Sequence, residues 1–247
     1  FKLGFSSNPK QTLYQFLKEQ NFEDKELLES NVVKLDKNNK IRDFFYNRLM
    51  FPITNEYGKI VGFGGRVLDN SNPKYINSPE SDFFKKRNIL YNLFNAKQTI
   101  RSKKNMLICE GYMDVISLYD KNIKTAVAPL GTSLTESHLI LSWKYVSKPT
   151  LMFDGDTSGL KASFKSAVMS LPYLTPSKLL QFIILPNQYD PDTYINEFSL
   201  NEFAKYLKNP LSIVDFIFEE SSKSIDLSKS DNKVIFDNYI DELVANI

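Results

Sequence analysis

Acidic side chains follow three apolar runs of the sequence, at the point where each run ends. These acids are Glu110, Asp154, Asp156, Asp190 and Asp192. The runs before them, residues 106–109, 150–153 and 179–185, have the length and composition of buried β-strands. Because the carboxyl ends of parallel strands lie along one edge of a sheet, we expect all three acidic groups to converge at that edge.

Five carboxylates in a small volume repel one another at neutral pH, and hard divalent cations relieve that repulsion. Ligand sets made only of oxygen atoms suit Mg²⁺ or Mn²⁺. Two such ions support in-line phosphoryl transfer, in which one activates the attacking oxygen and the other stabilises the leaving oxygen. Asp114 lies one helical turn after Glu110, so we expect it to reach the same edge as an outer ligand.

The same motifs also have a purely structural interpretation. Asp154 and Asp156 suit the cap of a helix that begins near Thr157, and Asp190-Pro191-Asp192 suits a turn. Either motif alone favours that interpretation. Their occurrence together with Glu110, each at the end of a predicted strand, favours the metal site.

The composition of the 247-residue chain excludes several classes of protein. One cysteine, Cys109, and one histidine, His138, exclude a disulfide framework and a zinc site of Cys and His ligands, and we expect His138 to be a packing or surface residue. The formal charge of +2 means that any basic surface is local. No apolar run approaches the ~18–20 residues of a membrane span. The lack of paired cysteines fits the cytoplasm, and no Walker A motif for an ATP-driven helicase is present.

The sequence divides into three parts, residues 1–87, 88–212 and 213–247. The first part has the pattern of two short helices, an antiparallel hairpin and a long polar loop. These segments are 9–19, 24–30, the strand pair 44–53 and 59–68, and the loop 69–82. A loop of this length is usually functional or disordered.

The second part alternates strands and helices, which predicts a mostly parallel sheet with helices on both faces. Besides the three strands above, we predict a strand at 125–128 and helices at 113–119, 133–145 and 157–171. Ser133 and Glu136 have the spacing of a capping box for the second of these helices. The third part predicts two amphipathic helices around Ser230 and is interpreted as the start of a helical unit.

The acidic motifs Glu110-Gly111, Asp154-Gly155-Asp156 and Asp190-Pro191-Asp192 resemble the TOPRIM signature of bacterial primases, type IA and type II topoisomerases and some nucleases. Further blocks resemble bacterial DnaG-type DNA primases in sequence and in order. They are residues 47–53, 62–66, 73–79, 90–91, 110–115 and 130–132. Because most of these blocks lie outside the TOPRIM motifs, they are independent evidence for the resemblance to primases.

This resemblance implies an N-terminal α+β subdomain over 1–87, an α/β TOPRIM domain over 88–212 and the start of a C-terminal helical subdomain over 213–247. It implies a DNA-directed RNA polymerase core that copies single-stranded DNA into short RNA primers from ribonucleoside triphosphates. It also implies that Glu110, Asp154 and Asp156 are catalytic. These three residues, together with Asp190 and Asp192, would bind two or more Mg²⁺ or Mn²⁺ ions. Asp114 would support the ligands as an outer residue.

The resemblance further implies a basic strip that holds DNA and nucleotides, made of Arg48, Arg66, Lys74 and Lys86. Such primases carry a zinc-binding domain and a domain that binds the replicative helicase, and neither is encoded here. The chain is therefore expected to be the core of a longer protein. Two alternatives stay open: a nuclease or topoisomerase fragment of the TOPRIM type, and a non-catalytic module that binds nucleic acid.

Overall fold

The computed structural model describes residues 1–6, 12–131, 133–223 and 225–245. These residues form two compact units, Phe1–Ile89 and Leu90–Ile247. The second unit includes residues 213–247, so the standing of that part as the start of a separate subdomain stays a prediction.

The first unit combines two short helices with an antiparallel four-stranded sheet of order β1-β4-β5-β6 and a two-stranded ribbon of β2 and β3. Its elements are β1 (Gly4–Ser6), α1 (Leu13–Glu19), α2 (Asp24–Glu29), β2 (Val33–Leu35), β3 (Ile41–Asp43), β4 (Arg48–Thr54), β5 (Ile60–Val67) and β6 (Tyr75–Asn77). The predicted α+β class is confirmed. The predicted hairpin is β4 and β5, which meet at a turn where Gly58 takes a φ of 85°.

Two predictions for this unit need correction, and a third lies partly outside the described residues. The first hairpin strand begins at Arg48 rather than at 44, because Asn47 has a φ of 50°, outside the β region. The loop 69–82 contains β6, which pairs with the edge of β5 and satisfies its backbone groups. Helix α1 begins after a capping box of Thr12 and Gln15, and the predicted start at 9 lies outside the described residues.

Glycines on β5 leave room for aromatic rings of the first unit. A Cβ atom on Gly62 would lie 3.2 Å from the Phe84 ring, and one on Gly65 would lie 2.8 Å from the Phe45 ring. Phe84 and Phe45 are buried. These glycines are therefore explained by close packing.

The second unit is an α/β layer built on a five-stranded sheet of order β11-β10-β9-β7-β8. Its strands are β7 (Leu107–Ile108), β8 (Ala126–Val127), β9 (Thr150–Leu151), β10 (Gln181–Phe182) and β11 (Leu211–Ser212). Its helices are α3 (Leu93–Lys103), α4 (Tyr112–Asp120), α5 (Glu136–Trp143), α6 (Thr157–Ser170), α7 (Pro191–Glu197), α8 (Leu200–Lys208), α9 (Ile213–Ser222) and α10 (Ser230–Val244). Only β11 runs antiparallel to its neighbour, so the predicted mostly parallel sheet is confirmed.

Apolar side chains of the strands and of the helices beside them fill the core of the second unit. Ile108, Val127 and Phe182 are fully buried, and the Phe182 ring stacks on Phe216 of α9 at 4.2 Å between centroids. The regular pairing covers only two residues of each predicted strand. Among the described residues, no helix combines the length and the apolar character needed to cross a membrane.

The predicted capping box of Ser133 and Glu136 is wrong. The N-cap of helix α5 is Thr135, two residues later than predicted. The Thr135 hydroxyl accepts the His138 N–H at 3.3 Å, and the His138 ring nitrogen Nδ1 accepts the Thr135 N–H at 3.2 Å. His138 is fully buried, so of the two predicted roles, packing or surface residue, the structure shows packing.

Candidate metal centre at the strand ends

Three neighbouring parallel strands lead into the acidic residues. β7 is followed by Cys109 and Glu110, and β9 is followed by two buried residues and Asp154. β10 is followed by a seven-residue loop, 183–189, before Asp190. Because β10, β9 and β7 are adjacent and parallel, their carboxyl ends bring these acids to one edge of the sheet.

A hydrogen bond joins two of these strand ends directly. The backbone N–H of Asp154 donates to Oε1 of Glu110 at 3.1 Å. Burial raises the pKa of Asp154 to about 7, and the negative charges of Glu110, Asp190 and Asp156 add to that rise. Burial also raises the pKa of Glu110, with further increases from Asp156 and Asp190, although the Asp154 N–H opposes them. These four acids therefore form one electrostatically coupled cluster.

Two of the five acids cap helices as well. Oδ1 of Asp156 accepts the Gly159 N–H at 2.8 Å at the start of α6. Oδ1 of Asp190 accepts the Thr193 N–H at 2.6 Å at the start of α7. The capping interpretation is therefore confirmed for Asp156, which is the N-cap of α6 where Asp154 is not, and Asp190 caps α7 where the sequence suggested a turn. It does not replace the acidic cluster, because the charges of both residues raise the pKa values of Glu110 and Asp154.

Glycines allow the turns that carry the acids to approach each other. A Cβ atom on Gly155 would lie 2.3 Å from the Pro186 carbonyl oxygen, which no real side chain tolerates. The Gly155 N–H donates to the Tyr189 carbonyl at 2.8 Å. This contact holds the Asp154–Asp156 turn against the loop that ends at Asp190. The glycine between the two aspartates is thus required by the spacing of the site.

Asp114 lies deeper in the site than the sequence predicts. It is 6% exposed on α4, and its carboxylate accepts the backbone N–H groups of Gly111, at 3.0 Å, and of Asp192. Burial raises its pKa to about 8, with further increases from Asp154 and Asp190. Asp114 therefore connects the start of α4 to the start of α7.

Asp192 is held by groups that sequence reasoning missed. Its Oδ1 accepts hydrogen bonds from the Ser117 hydroxyl on α4 and, at 2.9 Å, from Nδ2 of Asn196 on α7. Ser117 lies three residues after Asp114, so both share one face of α4. That spacing places Ser117 on the Asp114 face of α4, but only the folded structure brings its hydroxyl to Asp192.

The donor set fits a hard divalent cation in chemistry and charge. All five predicted ligands offer carboxylate oxygens. None of them takes part in the ion pairs formed by described residues. As they stand, however, no three acidic, histidine or cysteine side chains in the described part of the chain are arranged to hold a metal ion. Four of these acids are electrostatically coupled, and none of the five forms an ion pair with a described lysine or arginine, but a complete ligand shell is not formed.

The four predicted basic residues lie in the first unit and differ in their surroundings. Arg48 is 8% exposed, and its Nη1 donates to the carbonyls of Gly65, Pro73 and Lys74 at 3.3, 3.0 and 3.4 Å. The Arg66 guanidinium lies 5.6 Å from the centre of the Tyr75 ring. Lys74 is exposed and Lys86 is half-buried. Arg48 thus holds the segment that carries Lys74, and its predicted contact with DNA stays untested.

Two protein-family models match this chain. Residues 104–177 match the Toprim domain, which covers the strand ends that carry Glu110, Asp154 and Asp156. Residues 1–97 match the N-terminal domain of the DNA primase catalytic core. The Toprim domain implies the use of a divalent metal, in agreement with the carboxylate donors.

Similar curated proteins and solved structures point to one kind of Toprim protein, the DNA primases. The chain is 40% identical to the DNA primase of Buchnera aphidicola over 94% of its own length and 40% of that protein. It is 36% identical to the Escherichia coli K12 primase over 84% of its length and 36% of that protein. A DNA primase domain from Pseudomonas aeruginosa matches with a TM-score of 0.91 and 32% identity, covering 100% of this chain and 78% of that one.

A DnaG primase catalytic domain solved with single-stranded DNA matches with a TM-score of 0.88 and 33% identity, over 99% of this chain and 79% of that one. The chain belongs to the DnaG primase family, within its catalytic core. It spans about two fifths of the length of the curated relatives that it matches.

Proposed function

We propose that this chain synthesises RNA primers on single-stranded DNA by metal-dependent nucleotidyl transfer. The observation that carries the proposal is the coupled carboxylate cluster at the ends of β7, β9 and β10, whose members form no ion pair with the lysines and arginines that the structure describes. In it, Asp154 donates its N–H to Glu110 while Glu110, Asp156 and Asp190 raise the pKa of Asp154. Such an arrangement in a member of the primase family suits phosphoryl chemistry.

The five predicted ligands, Glu110, Asp154, Asp156, Asp190 and Asp192, would hold the cation, with Asp114 supporting them from behind. Mg²⁺ or Mn²⁺, in two or more copies, fits this set of oxygen donors. A bound divalent cation supplies charge that lowers the pKa of an attacking 3′-hydroxyl and neutralises the leaving pyrophosphate.

Glu110 is the residue best suited to accept the proton of the attacking hydroxyl. Burial raises the pKa of its carboxylate, which makes it a stronger proton acceptor than an ordinary glutamate. The Asp154 N–H fixes Oε1 of Glu110 and favours its charged form.

The basic residues of the first unit bind the phosphates of template and nucleotides in this proposal. Arg66, Lys74 and Lys86 supply the charges. Tyr75 stands opposite Arg66 in the β5–β6 pairing and keeps its guanidinium on the sheet surface. Arg48 acts through the segment that it anchors at the carbonyls of Pro73 and Lys74.

The partners in this proposal are single-stranded DNA template, ribonucleoside triphosphates and the RNA primer. The solved relative bound to single-stranded DNA supports the template. The replicative helicase would be reached through a C-terminal domain of the longer protein, and the whole would act in the bacterial cytoplasm.

The test is extension of an RNA primer annealed to a DNA template, with ribonucleoside triphosphates and Mn²⁺. A preformed primer bypasses initiation, so the assay measures nucleotidyl transfer itself. We expect addition of ribonucleotides directed by the template. A plasmid nicking assay with the same protein tests the alternative that the chain is a nuclease or topoisomerase fragment. Nicking without extension would overturn the proposal, and so would the absence of both activities in a folded, metal-bound protein.

A further inference from the structure

Two uncharged side chains on different helices donate hydrogen bonds to the same carboxylate oxygen of Asp192. The Ser117 hydroxyl, on α4, and the Asn196 amide, one helical turn after Asp192 on α7, both donate to Oδ1. No donor among the described residues is recorded at the other oxygen, Oδ2. The two carboxylate oxygens of Asp192 are thus in different environments.

Helix α4 also holds the backbone of the same residue. The Asp192 N–H donates to the carboxylate of Asp114, which is buried three residues before Ser117. One face of α4 therefore contacts Asp192 at its main chain through Asp114 and at its side chain through Ser117. A residue fixed at both places keeps one side-chain rotamer.

We propose that Ser117, together with Asn196, is a positioning residue that orients the Asp192 carboxylate so that Oδ2 is presented to a divalent cation. This inference rests on the proposed function, which makes Asp192 a ligand. Donors behind a ligating carboxylate fix its orientation, and their loss typically weakens metal binding about 10- to 100-fold. Because both donors are neutral, they orient the carboxylate without cancelling its charge.

The test measures Mn²⁺ binding by electron paramagnetic resonance, with no nucleotide or DNA present. Ser117→Ala removes the hydroxyl and should weaken binding of at least one ion by roughly 10-fold. Ser117→Thr keeps the hydroxyl and should bind Mn²⁺ like the wild type. Ser166→Ala is the matched control, because Ser166 is a helical serine whose hydroxyl donates only to the Ala162 carbonyl within α6. It should leave Mn²⁺ binding unchanged.

Asn196→Ala keeps the inference falsifiable if Ser117→Ala fails to fold. Asn196 is exposed, so its removal should leave the melting temperature nearly unchanged while weakening Mn²⁺ binding. Wild-type Mn²⁺ affinity in folded Ser117→Ala or in Asn196→Ala would overturn the role of that donor. Folded Ser117→Thr that binds as weakly as Ser117→Ala would overturn the role of the hydroxyl.

The same titration separates this inference from the proposed function. If the wild type binds Mn²⁺ but does not extend primers, the proposed function fails, while the comparison of the Ser117 variants still decides the positioning role. If the wild type extends primers and Ser117→Ala matches it in Mn²⁺ affinity, only the positioning role fails.

Discussion

The Asp154 backbone N–H and the Glu110 carboxylate form a hydrogen bond of 3.1 Å that joins the turn after β9 to the turn after β7. The bond makes the two acids unequal. It favours the charged form of Glu110, whereas burial and neighbouring charges all raise the pKa of Asp154, to about 7. In the absence of metal, Asp154 therefore holds a proton at higher pH than an ordinary aspartate does.

Replacing Glu110 should make Asp154 a stronger acid. Glu110→Gln removes the neighbouring charge that most raises the pKa of Asp154, and a glutamine oxygen still accepts the Asp154 N–H. Carboxyl carbon chemical shifts, followed by NMR through a pH titration of metal-free protein, should show the pKa of Asp154 falling below about 7. Glu202→Gln, on the exposed face of α8, is the control and should change nothing at Asp154. An unchanged pKa in Glu110→Gln would mean that the two carboxylates are not coupled.

Substitution of Asp156 separates its cap from its charge. Asparagine is as good an N-cap as aspartate, so Asp156→Asn should keep the hydrogen bond to the Gly159 N–H and the stability of α6. It removes one negative charge from the cluster, so Mn²⁺ binding should weaken clearly. Asp154→Asn should weaken it as well. Unchanged Mn²⁺ titrations in both variants would refute the metal site and leave Asp156 as a cap only.

The stability of metal-free protein should fall as the pH rises from 5 to 8. Asp114 has a pKa raised from 3.8 to about 8, so between these values the folded state binds more protons than the unfolded state. The free energy of unfolding then decreases with increasing pH. Asp154, with its pKa near 7, adds to the same slope. Carboxylates with lowered pKa values, such as Asp36, titrate below this window.

Melting temperatures at pH 5 and pH 8 measure this dependence. Asp114→Asn removes the buried charge and should flatten the decrease. Mn²⁺ should raise the melting temperature more at pH 8, where the carboxylates are ionised, than at pH 5. A melting temperature that rises between pH 5 and pH 8 without metal would contradict the assignment.

The four basic residues should divide into one structural residue and three that act on phosphates. Arg48→Ala leaves three carbonyls without their buried charged donor, so we expect a loss of about 2–4 kcal/mol in the free energy of unfolding. Arg66→Ala and Lys74→Ala should change the melting temperature little. They should weaken DNA binding and reduce its salt dependence by about one unit of slope or less per contact.

Thermal melts and DNA titrations at several salt concentrations measure the two effects separately. Arg48→Ala with an unchanged melting temperature would mean that its backbone hydrogen bonds do not anchor the segment at Lys74. An Arg66→Ala or Lys74→Ala variant with wild-type DNA binding and wild-type salt dependence would remove that residue from the basic strip.

The parallel sheet and its acidic edge follow from local sequence patterns. Apolar runs of strand length, each ended by an acid, are sufficient to predict that Glu110 and Asp154 lie side by side, because parallel neighbours share one carboxyl edge. A helix cap at Asp156 and a turn at Asp190 are the structural alternatives to the metal site, and the structure makes both residues caps. Both roles hold together, since one carboxylate oxygen caps the helix and the charge still acts on the cluster.

Tertiary contacts decide what the sequence could not show. Arg48 has the same local pattern as an exposed strand arginine, and only the segment folded across it buries its guanidinium. The β6 strand depends on the open edge of β5 rather than on its own residues. The Ser117 contact with Asp192 spans 75 positions of sequence, so no local pattern indicates it.

The rate of RNA primer extension as a function of Mn²⁺ concentration, in wild type and in Glu110→Gln, tests whether the strand-end carboxylates carry the chemistry. Loss of a general base should lower the rate by roughly 100-fold or more at limiting metal. If Glu110 acts also as a ligand, saturating Mn²⁺ should restore part of that loss. Glu110→Gln that extends primers at the wild-type rate at limiting Mn²⁺ would exclude Glu110 from catalysis and from metal binding alike.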